Sequence, residues 1–166
     1  NLVDISPIDT PTVLITMHRR ENHSLMAEYF KTIEELATEN RDLDFVFPMH
    51  PSPDVQKHRN IFKNVTVKEP LLYDDMIGCI SSSRIIITDS GGIQEEASFF
   101  KKKTIVCRKV TERFASIGKS SVLCKEPSEL KSVFNQAKEN YIVTDECPFG
   151  DGHASEKIVE ILKCII

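Results

Sequence analysis

Several features that define other classes of protein are missing from this sequence of 166 residues. No apolar run approaches the roughly 18 residues of a membrane-spanning helix, and no signal-peptide pattern opens the chain. The five cysteines form no CxxC pair and the five histidines form no HxxxH pair. We therefore expect no structural metal, no cofactor, no disulfide framework and no membrane association. Reduced thiols are typical of a cytoplasmic protein.

Charge and length narrow the possibilities further. The formal net charge is -4, and the only short basic run, residues 101–103, is typical of a solvated turn. Nucleic-acid binding is therefore not favoured. A chain of this length can bury roughly 70% of its unfolded surface in one domain, expected at residues 12–166. Residues 1–11 read as a linker without an initiator methionine, so we expect a piece of a longer protein.

The apolar pattern alternates between strands and helices. The run Ile85–Ile87 is continuous and β-branched, which suits a strand buried on both faces of a parallel sheet. Strands are predicted at 12–16, 44–48, 65–69, 84–88, 104–108 and 121–125, and helices at 25–39, after the proline-rich turn 50–55 toward 62, and at 73–81, 92–100, 127–140 and 153–166. This alternation predicts an α/β fold, a Rossmann-like parallel sheet with helices on both faces.

Common signatures of phosphate and acyl chemistry are absent. No G-x-G-x-x-G follows the first strand, where TMHRREN stands, and no Walker lysine loop occurs. A hydrolase elbow, G-x-S-x-G, would need glycine at position 88, which is Thr88. A phosphate site must therefore be sought at another strand.

The stretch TDSGGIQEEA, residues 88–97, follows the fourth predicted strand. Ligands of open α/β sheets bind at the carboxyl ends of the strands, and a helix N-terminus favours anions. Ser90, Gly91 and Gly92 are therefore candidate phosphate ligands, and Glu96, one turn further, is placed to accept ribose hydroxyls. The alternative is an ordinary N-cap serine followed by glycines that allow tight packing.

Other polar clusters follow other strands. His18, Arg19 and Glu21 follow the first strand, His50 ends the second, and Arg113 follows the fifth in TERF. Each has an alternative: a charged solvated loop, a structural histidine and a surface ion pair. Because the carboxyl ends of parallel strands share one edge, the coincidence of four clusters favours a binding site.

The motifs HRREN, PMHPSP, TDSGGIQEEA, TER and PFGDGHAS occur in the order and spacing of the non-hydrolysing UDP-N-acetylglucosamine 2-epimerases, and nearly the whole chain resembles that family. The resemblance implies one half of a glycosyltransferase-B-type two-domain fold, with the active site between the domains. This chain is similar to the C-terminal, UDP-binding half. The longer protein is expected to be a homodimer that takes a UDP-sugar and needs no cofactor.

The resemblance also implies roles for residues that match the family motifs. The substrate-binding positions are Leu71 and Met76 for uracil, Ser90, Gly91 and Gly92 for the phosphates, and Glu96 for the ribose. His18 and Arg113 are the catalytic candidates on the pyrophosphate side. Arg19, Glu21 and His50 match a possible activator site.

The implied reaction removes the C2 proton, eliminates UDP and adds it back to the glycal-type intermediate. The family's acidic groups for the proton transfer lie in the N-terminal domain. The chain departs from the family pattern at Phe114 and Ala115, where Pro-Glu is usual, and at Met76, where an aromatic residue is common. The resemblance therefore implies UDP-N-acetylglucosamine or a deoxy relative as the substrate. The alternatives are the donor half of a B-type glycosyltransferase and a non-catalytic nucleotide-binding module.

Overall fold

One parallel sheet organises the chain in the computed structural model, which describes residues 12–165. The predicted linker at 1–11 and the last residue of the last predicted helix, Ile166, lie outside the described residues. The six strands stand in the order β3-β2-β1-β4-β5-β6, and every neighbouring pair is parallel. They are β1 (Thr12–Thr16), β2 (Asp44–Pro48), β3 (Thr66–Lys68), β4 (Ser83–Thr88), β5 (Lys103–Cys107) and β6 (Ser121–Cys124).

Six helices connect and follow these strands. They are α1 (Met26–Glu39), α2 (Pro53–Gln56), α3 (Tyr73–Ser82), α4 (Gly91–Phe99), α5 (Leu130–Glu139) and α6 (Ala154–Ile165). The helix predicted after the turn 50–55 was misplaced, since α2 is one turn that begins at Pro53, inside the predicted turn, and a 3-10 turn follows at Arg59–Ile61. Only Val55 of α2 is buried, so little apolar contact holds a longer helix there.

Side chains of the central strands pack alternately on two sides of the sheet. Val13 and Ile15 of β1 belong to the larger core, with the apolar faces of α1 and α5. Leu14, between them, belongs to a second core with Ile86 of β4 and residues of α3 and α4. Because both faces are covered, the strands need continuous apolar runs. The predicted α/β class with helices on both faces is confirmed.

Helix α6 differs from the other long helices. Its sequence is amphipathic, yet all of its described residues are exposed, including Ile158, Ile161 and Ile165. Among residues 12–165, no helix is long and apolar enough to cross a bilayer.

Three phenylalanine rings join α1, β2 and the chain before β3. Phe47 is fully buried, with its ring centroid 5.4 Å from that of Phe30 and 5.5 Å from that of Phe62. Phe47→Ala should lower the free energy of unfolding by about 3–5 kcal/mol, because it leaves a cavity between packed elements. Urea denaturation measures the change. Phe99→Ala, at a half-exposed ring, is the matched control and should cost about 1 kcal/mol or less; equal losses would contradict this packing.

Candidate functional site

The candidate site lies where the strand order reverses. β1 and β4 are neighbours, but the chain leaves β1 toward β2 and leaves β4 toward β5. The two following loops therefore diverge and open a crevice at the carboxyl edge, the usual ligand position in such sheets. A cavity of about 240 Å³ opens there, and five predicted site residues line it: His18, His50, Leu71, Met76 and Ser90.

The glycine turn forms the start of α4. Ser90 is the N-cap, and its Oγ accepts a hydrogen bond from the Ile93 backbone N–H at 3.5 Å. Ser90 is thus an N-cap, as the alternative interpretation of this stretch expected. The cap nevertheless leaves Gly92 exposed. A Cβ on Gly92 would meet only Ser90 Oγ, at 3.9 Å. An open backbone at a helix N-terminus can admit an anion closely.

A buried carboxylate ties the two loops of the crevice together. Asp89 is fully buried. Its carboxylate accepts hydrogen bonds from the backbone N–H groups of His18 and Arg19, at 3.1 and 2.9 Å, and from Asn22 Nδ2 at 3.0 Å. The sequence analysis missed both Asp89 and Asn22. The signal for Asp89 was available, because an aspartate ending an apolar strand must find donors when buried.

The two histidines of the site stack on each other. The rings of His18 and His50 lie 4.9 Å apart between centroids and 11° from parallel. Partial burial lowers the pKa of His18 below its ordinary value, the nearby Asp89 carboxylate opposes this, and His50 and Arg19 add to the lowering. The lowered pKa favours the neutral form of His18 near neutral pH.

Arg113 lies over the other glycine of the turn. A Cβ on Gly91 would stand 2.9 Å from the guanidinium carbon of Arg113, so only glycine leaves room for this contact. Arg113 Nε donates a hydrogen bond to Glu95 Oε1 at 2.7 Å. Arg113 therefore forms an ion pair in the structure, which was the alternative to ligand binding. Gln94 holds the loop in place, since its Nε2 donates to the Arg113 carbonyl at 2.9 Å and its Oε1 accepts from Thr111 at 2.9 Å.

Arg108 joins the loops after β1 and β5. Its Nε donates to Glu21 at 2.7 Å and its Nη1 donates to Glu112 at 2.7 Å, while its side chain is 8% exposed. The sequence analysis missed Arg108 as a member of the site. Glu21 is thus paired in the structure, and no contact among the described residues joins it to His50, its expected neighbour in an activator site.

Glu96 lies apart from the crevice cavity. It lines a second cavity, of about 370 Å³, with Tyr73, Ile77 and Phe99 between α3 and α4. Burial raises the pKa of Glu96, and hydrogen bonding to Tyr73 opposes the rise. Within residues 12–165, no group of three or more histidine, cysteine or acidic side chains could hold a metal ion.

Comparison with known proteins identifies the family. The family model described as UDP-N-acetylglucosamine 2-epimerase matches residues 4–163. The chain belongs to this family. A UDP-N-acetylglucosamine 2-epimerase from Salmonella borreze is 33% identical over 168 residues, which is 92% of this chain and 44% of that protein. The chain therefore spans less than half the length of this curated epimerase.

Solved structures of UDP-N-acetylglucosamine 2-epimerases share the fold. The enzyme from Neisseria meningitidis, bound to UDP-GlcNAc, is 35% identical with a TM-score of 0.85, and the match covers 93% of this chain and 45% of that one. The S. aureus MnaA–UDP structure is 34% identical with a TM-score of 0.85, covering 95% and 45%. The predicted family resemblance is confirmed, whereas the roles of the individual residues stay predictions.

The environment of His18 in this epimerase-family chain can be tested by titration. Asp89→Asn should lower the pKa of His18 further, because it removes the charge that opposes the effect of burial. His50→Phe should raise the pKa of His18, because it keeps a stacked ring and removes the imidazole that adds to the lowering. NMR titration of the His18 ring protons measures both shifts.

Asp44→Asn is the matched control for the charge change. Asp44 is exposed at the start of β2, at the opposite edge of the sheet, so its replacement should leave the pKa of His18 unchanged. A raised pKa of His18 in the Asp89 variant would contradict the assignment.

Proposed function

We propose that this chain is the UDP-binding, C-terminal half of an enzyme that interconverts UDP-N-acetylglucosamine, or a deoxy relative, and its C2 epimer. The observation that carries the proposal is the open backbone at Gly92, the second residue of α4. The guanidinium of Arg113 lies against Gly91, the first residue of that helix. Relatives solved with UDP and with UDP-GlcNAc support it.

The diphosphate fits the start of α4. Free N–H groups and the positive end of the helix dipole at Gly91 and Gly92 suit phosphate oxygens. Arg113 adds a guanidinium that can bind phosphate through two parallel N–H donors. His18, on the opposite wall, supplies a further donor. These groups would stabilise the charge that develops on UDP as it leaves.

The nucleoside would extend away from the glycine turn. Leu71 and Met76 line the same cavity as Ser90, so uracil can pack there while its phosphates stay at the helix. Glu96 would accept the ribose hydroxyls from the neighbouring cavity between α3 and α4. Because Glu96 lines one cavity and Leu71 and Met76 line the other, this role requires the ribose to span from the crevice cavity to the neighbouring one.

The reaction would proceed by elimination and addition. A base takes the proton from C2, the bond from C1 to the UDP oxygen breaks, and the pair of electrons from the C–H bond forms the C1–C2 double bond. UDP then adds back at C1 while a proton returns to the other face of C2. This half offers cations and backbone donors for the leaving group. Asp89 is fully buried under donors and Glu112 is paired with Arg108, so we expect the base in the other half.

The longer protein would supply that second domain. The relatives are more than twice the length of the matched segment, and the exposed apolar residues of α6 fit a helix that packs against a further domain. A homodimer, an activator site and a cytoplasmic location stay predictions. The glycosyltransferase and non-catalytic alternatives gain no support from the comparisons, whose family model and curated matches carry epimerase names.

UDP binding at the glycine turn can be tested with Gly92→Val. Gly92 lies in α4 with open space around it, and glycine is less favourable than valine inside a helix, so valine should leave the stability nearly unchanged while blocking the phosphate. Calorimetry with the chain should show UDP affinity reduced about tenfold or more, with uridine binding, followed by NMR, unchanged. Unaltered UDP binding by a folded Gly92 variant would place the phosphate elsewhere.

The division of chemistry between the two halves can be tested in deuterated water. The chain alone, given UDP-N-acetylglucosamine, should incorporate no deuterium at C2, because a base has to lie about 2.6–3.2 Å from its proton partner. Adding the N-terminal half from the same gene should restore exchange, followed by NMR. Deuterium at C2 with this chain alone would show that it carries its own base.

A further inference from the structure

Arg113 lies directly against the start of α4. Its guanidinium carbon and Nη1 each stand 2.9 Å from the position that a Cβ on Gly91 would take. The proposed function puts a phosphate at this helix start. A phosphate there would therefore meet Arg113 at once, provided that the guanidinium is free to bind it.

The guanidinium is not free in the structure. Arg113 Nε donates to Glu95 at 2.7 Å, and Nη1 lies 3.5 Å from Glu112. Glu95 stands on α4 itself, four residues after Gly91, so its side chain projects near the same helix start. Two carboxylates thus hold the cation that the proposed site needs for phosphate.

The two carboxylates are bound with different strength. Glu112 also accepts from Arg108 Nη1 at 2.7 Å, and this hydrogen bond holds the pKa of Glu112 at about 2. Glu95 has no other cationic partner among the described residues, and its side chain is 43% exposed. Glu95 is therefore the partner that Arg113 can exchange at little cost.

The charge count favours such an exchange. The connected ion pairs contain two arginines, Arg108 and Arg113, and three carboxylates, Glu21, Glu95 and Glu112. These five side chains therefore carry one net negative charge, which makes the start of α4 less attractive to an anion, although Arg19 also acts on Glu112. Without Glu95, the two arginines and the two remaining carboxylates have no net charge. The Nε side of Arg113 is then free to bind another acceptor.

We propose that Glu95 is a specificity-determining residue, whose carboxylate competes with ligand phosphate for Arg113. This inference rests on the proposed function, because it takes the phosphate position from it. A nucleoside diphosphate, which carries several negative charges, replaces Glu95 on the guanidinium. An uncharged nucleoside gains nothing from the exchange, so Glu95 makes binding depend on the phosphate charge.

The test is whether UDP affinity rises when the negative charge of Glu95 is removed. In calorimetry with this chain, Glu95→Gln should bind UDP about two- to fivefold more tightly, the range expected for an exposed ion pair. Uridine binding, followed by NMR, should not change. Glu139→Gln makes the same charge change at the end of α5, on the opposite edge of the sheet, and should leave UDP affinity unaltered.

A second variant separates competition for Arg113 from general repulsion. In an Arg113→Gln background, Glu95→Gln should give no gain for UDP, because the contested cation is gone. An equal gain in both backgrounds, or an equal gain for uridine, would overturn the inference. Unchanged UDP affinity in Glu95→Gln would refute the inference alone, whereas failure of the unaltered chain to bind UDP would refute the proposed function as well.

Discussion

The buried charge of Asp89 is the constraint on which the site depends. A carboxylate without access to water is strongly unfavourable unless hydrogen-bond donors surround it. Its donors are the backbone N–H groups of His18 and Arg19 and the amide of Asn22, all in the loop after β1. The loop must therefore close onto the turn after β4 when the chain folds. The place of His18 in the crevice follows from that requirement.

The same loop is also bound to the end of β5. Asn22 Nδ2 donates to the Cys107 carbonyl at 2.9 Å as well as to Asp89, and Glu21 accepts from Arg108. The loops after β1, β4 and β5 therefore hold one another through polar contacts, although each follows a different strand. Donors held in advance need not reorganise when charge develops on a ligand, which is the property that favours catalysis by electrostatic stabilisation.

The sequence predicted the elements but not the partners of their charged side chains. Ile85–Ile87 could be assigned to a buried strand because apolar continuity is a local signal. The pairing of Glu21 with Arg108 spans 87 residues, and nothing in the local pattern selects that arginine. Glu96 was placed on the correct helix, yet helical spacing could not show that it lines, with residues of α3, a cavity other than the crevice cavity. Contacts between different elements form only once the sheet is assembled, so local sequence patterns could not predict them.

The exposure of the site predicts that this half alone would bind a diphosphate only weakly. Gly92 is exposed and the Arg113 side chain is 32% exposed, so water screens both from a ligand charge. A domain closing over the crevice would exclude that water and strengthen each contact with the diphosphate. It would also strengthen the ion pair between Glu95 and Arg113, so a phosphate would have to replace that carboxylate before the crevice closes. In the proposed enzyme, the second domain therefore contributes a low-dielectric environment as well as a base.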